Sequence, residues 1–130
     1  MITRISRPLE WADTDASGHW HNTAALRLIE SAESALRDRI GLDGPGYAGS
    51  MPRVRLEVDF RRPVHFGDPL DVDLWVAAVG VSSVTFEARI SCRQAVCAEA
   101  RVVAVLRGPD GRALPWSDED RRRWLTAGGP

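Results

Sequence analysis

The chain has 130 residues, 44% of them hydrophobic, which suits one globular domain with a real core and argues against disorder. The net charge is −1, so the sequence carries no electrostatic footprint for nucleic acid. All 17 basic residues are arginine, which removes lysine Schiff-base and P-loop chemistry but keeps bidentate phosphate recognition.

Cys92 and Cys97 form no CxxC pair and no His/Cys cluster with zinc spacing, so they read as reduced thiols. No basic-plus-apolar leader is visible, and no apolar run is long enough to span a membrane. A soluble, cytoplasmic protein is expected.

In chain order, Thr3 to Trp11 carries Ile5, Leu9 and Trp11 at odd positions and reads as a first strand. Pro8 places it at a sheet edge or a bulge. From Thr23 to Ile40 the period changes. Ala25, Leu28, Ile29, Ala32, Ala35, Leu36 and Ile40 recur at helical spacing, against Arg27, Glu30, Glu33, Arg37 and Asp38. Glu30 and Glu33 read as a solvated or interface face. Asn22 is the expected N-cap, with Thr23 competing, and Gly41 ends the helix in the left-handed conformation.

Gly44, Pro45, Gly46 and Gly49 mark a loop. The period then becomes two. Val54 to Phe60, Leu70 to Val76, Val84 to Ile90 and Val96 to Leu106 alternate apolar and polar residues, separated by turns at Pro63–Pro69, Gly80 and Arg93–Gln94. A short helix from Trp116 to Leu125, capped by Ser117, closes the chain. The segment from about residue 115 is expected to be peripheral, with frayed last residues.

This order is β-α-β-β-β-β plus a short C-terminal helix. Short turns imply antiparallel neighbours, and only one long helix is available to cover the sheet. The economical α+β packing is one antiparallel β-sheet wrapped around one long central α-helix, as a single domain over 1–130. Such a sheet leaves edge strands and a face with little cover, which predicts a homodimer at least.

The chemistry concentrates in Trp11 to Asn22, WADTDASGHWHN, where two carboxylates, a glycine and two histidines precede the long helix. A helix N-terminus offers unpaired N–H groups and partial positive charge, so a nearby carboxylate can be a cap or half of a catalytic site. The stretch DTDASGHWHNTAAL, followed by RLIESAE, resembles the opening motif of the hotdog-fold acyl-CoA thioesterases of the 4-hydroxybenzoyl-CoA thioesterase type. The resemblance continues through FRRPVHFGDPLDVDLWV and VGVSSVTFEARI, and covers the chain to about Leu114.

The resemblance implies a hotdog fold and hydrolysis of an acyl-CoA or acyl-carrier-protein thioester by a dimer or tetramer. It needs no cofactor beyond the coenzyme A thioester substrate. The family's catalytic carboxylate falls on Asp15, which would act as general base on a water or as nucleophile. Backbone amides around His21 and Asn22 would hold the developing oxyanion. Asp13, Gly18, His19 and Trp20 would shape the site: Asp13 through hydrogen bonds to loop amides, Gly18 through its backbone freedom. Arg61, Arg62, Arg89 and Ser83 are candidates for binding coenzyme A, with Arg93 a further candidate for its phosphates.

The chain departs from the pattern where the family's helix aromatic becomes Ala25 and its valine becomes Trp20, changes expected to reshape the acyl pocket. Other readings compete, among them a hotdog dehydratase, for which no helix histidine appears after His21, and a thioesterase using a helix glutamate, which the presence of Asp15 disfavours. DTDASG also looks like the start of a calcium loop, but the twelfth position, which wants a carboxylate, is Ala24, and no helix enters it; no metal is expected. A hotdog module that binds acyl thioesters without turnover is the non-enzyme alternative.

Overall fold

A computed structural model describes residues 1–42 and 50–130. The loop read at Gly44, Pro45, Gly46 and Gly49 lies outside the described residues. The elements are β1 (Thr3–Pro8), α1 (Asn22–Ile40), β2 (Arg53–Phe60), β3 (Pro69–Val79), β4 (Ser83–Cys92), β5 (Ala95–Val105) and α2 (Asp118–Thr126). The strands form one antiparallel sheet in the order β1-β3-β4-β5-β2. Among the described residues, no helix is long and apolar enough to cross a membrane.

β1 is an edge strand, as Pro8 implied, but it stops short of Trp11. The reason is the register: Pro8 faces Pro69, and neither supplies an N–H to extend the ladder. Trp11–Asp13 forms a single 3₁₀ turn instead.

α1 buries Ala24, Ala25, Leu28, Ile29, Ala32, Leu36 and Ile40 against the sheet and ends at Gly41 with φ 75°. It packs mainly on β1 and β3. The inner face of the sheet, carrying Val72, Leu74, Phe86, Ala88, Ile90, Ala98 and Val102, completes the core.

One helix cannot cover five strands. On β2, Leu56 pairs with Val102 and Phe60 with Ala98, so both lie on the inner face, yet Leu56 is 49% and Phe60 48% exposed. The β2 end of that face has no cover among the described residues.

Glu33 corrects the expectation of a solvated helix face. It is 4% exposed and accepts from Arg53 at 2.5 Å, with Arg37 at 3.5 Å. A register shift between Arg53 and Arg55 sets Arg53 opposite the buried Ala104, and the helix carboxylate meets it. Glu30 is exposed, as read.

The C-terminal segment is not peripheral. Trp124 is fully buried, edge-on to Phe86 and Trp116 at ring-centre distances of 5.6 Å. Ser117 caps α2 as expected, its Oγ accepting from Asp120 N–H at 3.1 Å. Beyond the helix, Ala127 C=O accepts from Val76 N–H at 2.8 Å, beside the register shift between Val76 and Ala78. The apolar surface of two tryptophans outweighs the polar character of the helix that carries one of them.

Trp124→Ala is therefore expected to destabilise the fold by about 3–5 kcal/mol, the range for emptying a fully buried aromatic site. Urea unfolding measures it; a loss under about 1 kcal/mol would mark a dispensable tail.

Candidate active site

The loop before α1 is tied at both ends by Asp13. Its Oδ1 accepts from Arg27 Nη2 at 2.7 Å, its Oδ2 from Glu10 N–H at 3.3 Å, and its carbonyl from His21 N–H at 2.6 Å. One residue thus joins the 3₁₀ turn, the helix cap and the second turn of α1.

Within the loop, Asp15 N–H donates to His19 C=O at 2.8 Å, and Gly18 N–H donates to Asp15 C=O at 3.1 Å. Gly18 has φ 84°, and a Cβ there would meet nothing within 4 Å, so the position requires glycine for conformation and not for space.

His21, not Asn22 or Thr23, is the N-cap. Its Nδ1 accepts from Thr23 N–H at 3.2 Å and lies 2.8 Å from the Thr23 hydroxyl. An imidazole Nδ1 hangs from Cγ as an asparagine oxygen does, so it reaches the same amide. Two amides at the helix start are thereby consumed. His21 N–H serves Asp13, and Thr23 N–H serves His21. Among the described residues, the Asn22 N–H has no acceptor, and it alone of the His21–Asn22 pair remains for an oxyanion.

The loop is pinned across the molecule by Trp20 N–H donating to Val64 C=O at 2.7 Å and by the His19–His65 bridge. This brings it against the segment between β2 and β3. Between the two lies a cleft of about 580 Å³. Asp15, His19, Trp20, His21 and Asn22 line one side; Phe60, Arg61, Arg62 and Pro63 line the other. Trp20 is buried and meets Phe60 edge to face at 5.6 Å. His19 meets His65 edge to face at 4.8 Å.

Asp15 is exposed to the cleft. Its Oδ1 accepts from Ser17 Oγ at 2.5 Å and from Ser17 N–H at 2.8 Å. The Ser17 hydroxyl first, then its amide, holds the Asp15 carboxyl below the ordinary carboxylate range, so it is ionised at neutral pH.

Of the coenzyme A candidates, only Arg61 and Arg62 reach the cleft. Arg61 is engaged with Glu99 at 2.8 Å, whereas Arg62 has no carboxylate partner among the described residues. Arg89 lies over the Trp75 ring at 5.6 Å, and Ser83 C=O accepts from Trp116 Nε1 at 2.9 Å; neither lines this cleft. Arg93 pairs with Asp68 at 3.3 Å, also away from it. No set of three or more His, Cys, Asp or Glu among the described residues is placed to hold a metal ion. Phe60, Pro63 and His65 escape the sequence reading. Phe60 reads there only as part of a strand face, and the other two enter through the pairing of Trp20 and His19 with Val64 and His65.

A sheet wrapped on one helix with this cleft at the helix start is the hotdog fold. A 1,4-dihydroxy-2-naphthoyl-CoA thioesterase from Synechocystis has the same fold, with a TM-score of 0.88 at 20% identity over 100% of both chains. A thioesterase from Thermus thermophilus, solved with coenzyme A and Zn, gives a TM-score of 0.87 at 27% identity, over 98% of this chain and 95% of that one.

Residues 9–125 match the model of the thioesterase-like superfamily, and the chain belongs to that family. A Prochlorococcus marinus relative named 1,4-dihydroxy-2-naphthoyl-CoA hydrolase is 30% identical over 95% of this chain and 86% of its own length. A Synechococcus relative of the same name is 28% identical over 95% of this chain and 88% of its own. The chain is an acyl-CoA thioesterase, a thioester hydrolase.

Because Gly18 sits at positive φ with open space around it, Gly18→Ala is expected to cost about 1–2 kcal/mol through backbone strain alone. Gly18→Asn should cost less, since asparagine tolerates that region better. Thermal unfolding of the two variants checks the order.

Proposed function

We propose that Asp15 carries the hydrolysis, as general base on a water or as direct nucleophile, with the Asn22 N–H polarising the thioester carbonyl. The observation that supports this most is the shared cleft: an ionised carboxylate and an acceptor-free helix-start amide line the same walls. In the general-base route, Asp15 takes a proton from water as the oxygen attacks the acyl carbon. The C–S bond then breaks, and the proton passes to the departing thiolate. In the nucleophilic route the Asp15 carboxylate attacks the acyl carbon, the C–S bond breaks to release the thiolate, and water opens the resulting anhydride, returning the Asp15 carboxylate and supplying the thiol proton. Both end in a free acid and coenzyme A thiol, and neither calls for a further cofactor.

The names of the relatives favour an aromatic acyl group as the first substrate to try. The edge-to-face pair of Trp20 and Phe60 offers an apolar wall for it. Arg62 is the better candidate of the two cleft arginines for a coenzyme A phosphate, because Arg61 is already paired.

We also propose that the enzyme works in the cytoplasm as a homodimer joined along β2, with dimers pairing into tetramers. The uncovered inner face at Leu56 and Phe60, beside the exposed Val54, supports that edge. Leu56→Glu would set a charge there. Sedimentation velocity is expected to show the tetramer or its dimer for the unsubstituted chain and a monomer for this variant.

Thiol release from acetyl-, octanoyl-, benzoyl- and 1,4-dihydroxy-2-naphthoyl-CoA tests the chemistry. Asp15→Asn is expected to lower kcat by about 10²–10⁴-fold, the range for removing a general base. Unchanged hydrolysis by that variant would sink the assignment of Asp15. Ligand binding without turnover by the unsubstituted chain would sink catalysis itself.

A further inference from the structure

Ser17 belongs to no part of the reaction described so far, yet it makes the closest contacts to the Asp15 carboxylate. Both its hydroxyl and its amide converge on one oxygen, Oδ1, at 2.5 Å and 2.8 Å. Ser17 supplies the donors within full hydrogen-bond geometry of this carboxylate, His19 N–H is a weaker backbone neighbour, and the side chain lines the cleft. The same Ser17 Oγ lies 3.2 Å from His19 Nδ1.

Donor counting orders these contacts. An ionised carboxylate only accepts, so the single Ser17 hydroxyl proton goes to Asp15. The Oγ lone pair is then the site that accepts a hydrogen bond from His19 Nδ1–H. The His19 ring is set by His65, whose Nδ1 in turn lies 3.8 Å from Asp68.

We propose that Ser17 is a positioning residue that occupies Asp15 Oδ1 and so makes Oδ2 the oxygen that meets water or the acyl carbon. This rests on the reading of Asp15 as the reacting carboxylate. A free carboxylate rotates and offers either oxygen; one held at Oδ1 by two donors presents a fixed lone pair toward the cleft, which is the preorganisation a reacting base needs. The hydroxyl also favours the ionised form, so it extends the pH range over which that oxygen is available. The other charged or titratable groups facing this carboxylate are His19 and His21 on its own side and Arg61 and Arg62 across the cleft. Asp13 is turned away to Arg27.

Ser17→Ala removes the hydroxyl and keeps the backbone N–H, which isolates the side chain's part. With the fastest acyl-CoA of the panel as probe, kcat is expected to fall about tenfold, the scale of one exposed hydrogen bond to a charged group, with KM held within about twofold. The acid limb of kcat/KM is expected to move to higher pH, because a carboxyl without this donor protonates sooner. Carbon-13 titration of the Asp15 carboxyl, which needs no turnover, should move in the same direction. Ser17→Thr restores the hydroxyl and should return both readouts to those of the unsubstituted enzyme.

A merely structural serine would alter the melting temperature and leave the acid limb and the titration in place. That result, or a Thr variant behaving like Ala, overturns the proposal. If Asp15→Asn is inactive while Ser17→Ala matches the unsubstituted enzyme, only the role of Ser17 fails. If Asp15→Asn keeps full activity, the underlying assignment of Asp15 fails instead.

Discussion

The hydrogen bond from Trp20 N–H to Val64 C=O, at 2.7 Å, holds the two walls of the cleft together. With the His19–His65 bridge it keeps the carboxylate loop opposite Phe60 and the two arginines. Burial of the Trp20 side chain makes that bond durable, since the ring is 6% exposed and braced by Phe60. The packing of one aromatic residue therefore fixes the position of a carboxylate five residues earlier. A backbone bond shielded this way is worth more than one open to water, where the solvent competes for both partners.

Polar groups near the helix start divide their labour by geometry. Asp13 spends its carboxylate on Arg27 and Glu10 and its carbonyl on His21, so it builds the loop. Asp15 gives one oxygen to Ser17 and stays exposed to the cleft. His21 caps the helix and blocks the next amide, which leaves Asn22 N–H open. Deeper along α1, Glu33 shows how the fold treats a carboxylate it buries: it surrounds it with Arg53 and Arg37. The contrast separates a structural acid, enclosed and paired, from one that remains accessible.

Much of this was legible in the sequence. The alternation of Leu70, Val72, Leu74 and Val76 and the helical spacing from Ala25 to Ile40 report directly on which face is buried, because side-chain direction follows backbone period. Gly41, Ser117 and Pro8 behave as their local chemistry requires. The failures share a cause. The capping role of His21, the burial of Glu33 and the burial of Trp124 each depend on a partner distant in sequence or on an atom-level match that propensities do not encode. Likewise Arg89 and Ser83 look as eligible as Arg62 until the sheet places them away from the cleft.

The sequence by itself determined the period of α1 and of β2 to β5, the strand and helix order, the single long helix and the carboxylate-bearing loop that precedes it, since these follow from local sterics and from the hydrophobic pattern. Tertiary structure alone decided which groups meet. It chose Arg61 and Arg62 to face Asp15, committed the His21 amide to Asp13, and drew the last tryptophan into the core. The physical reason is that a catalytic cleft is a property of distances between segments. Those distances are set by packing and by long-range backbone hydrogen bonds, which no local pattern records.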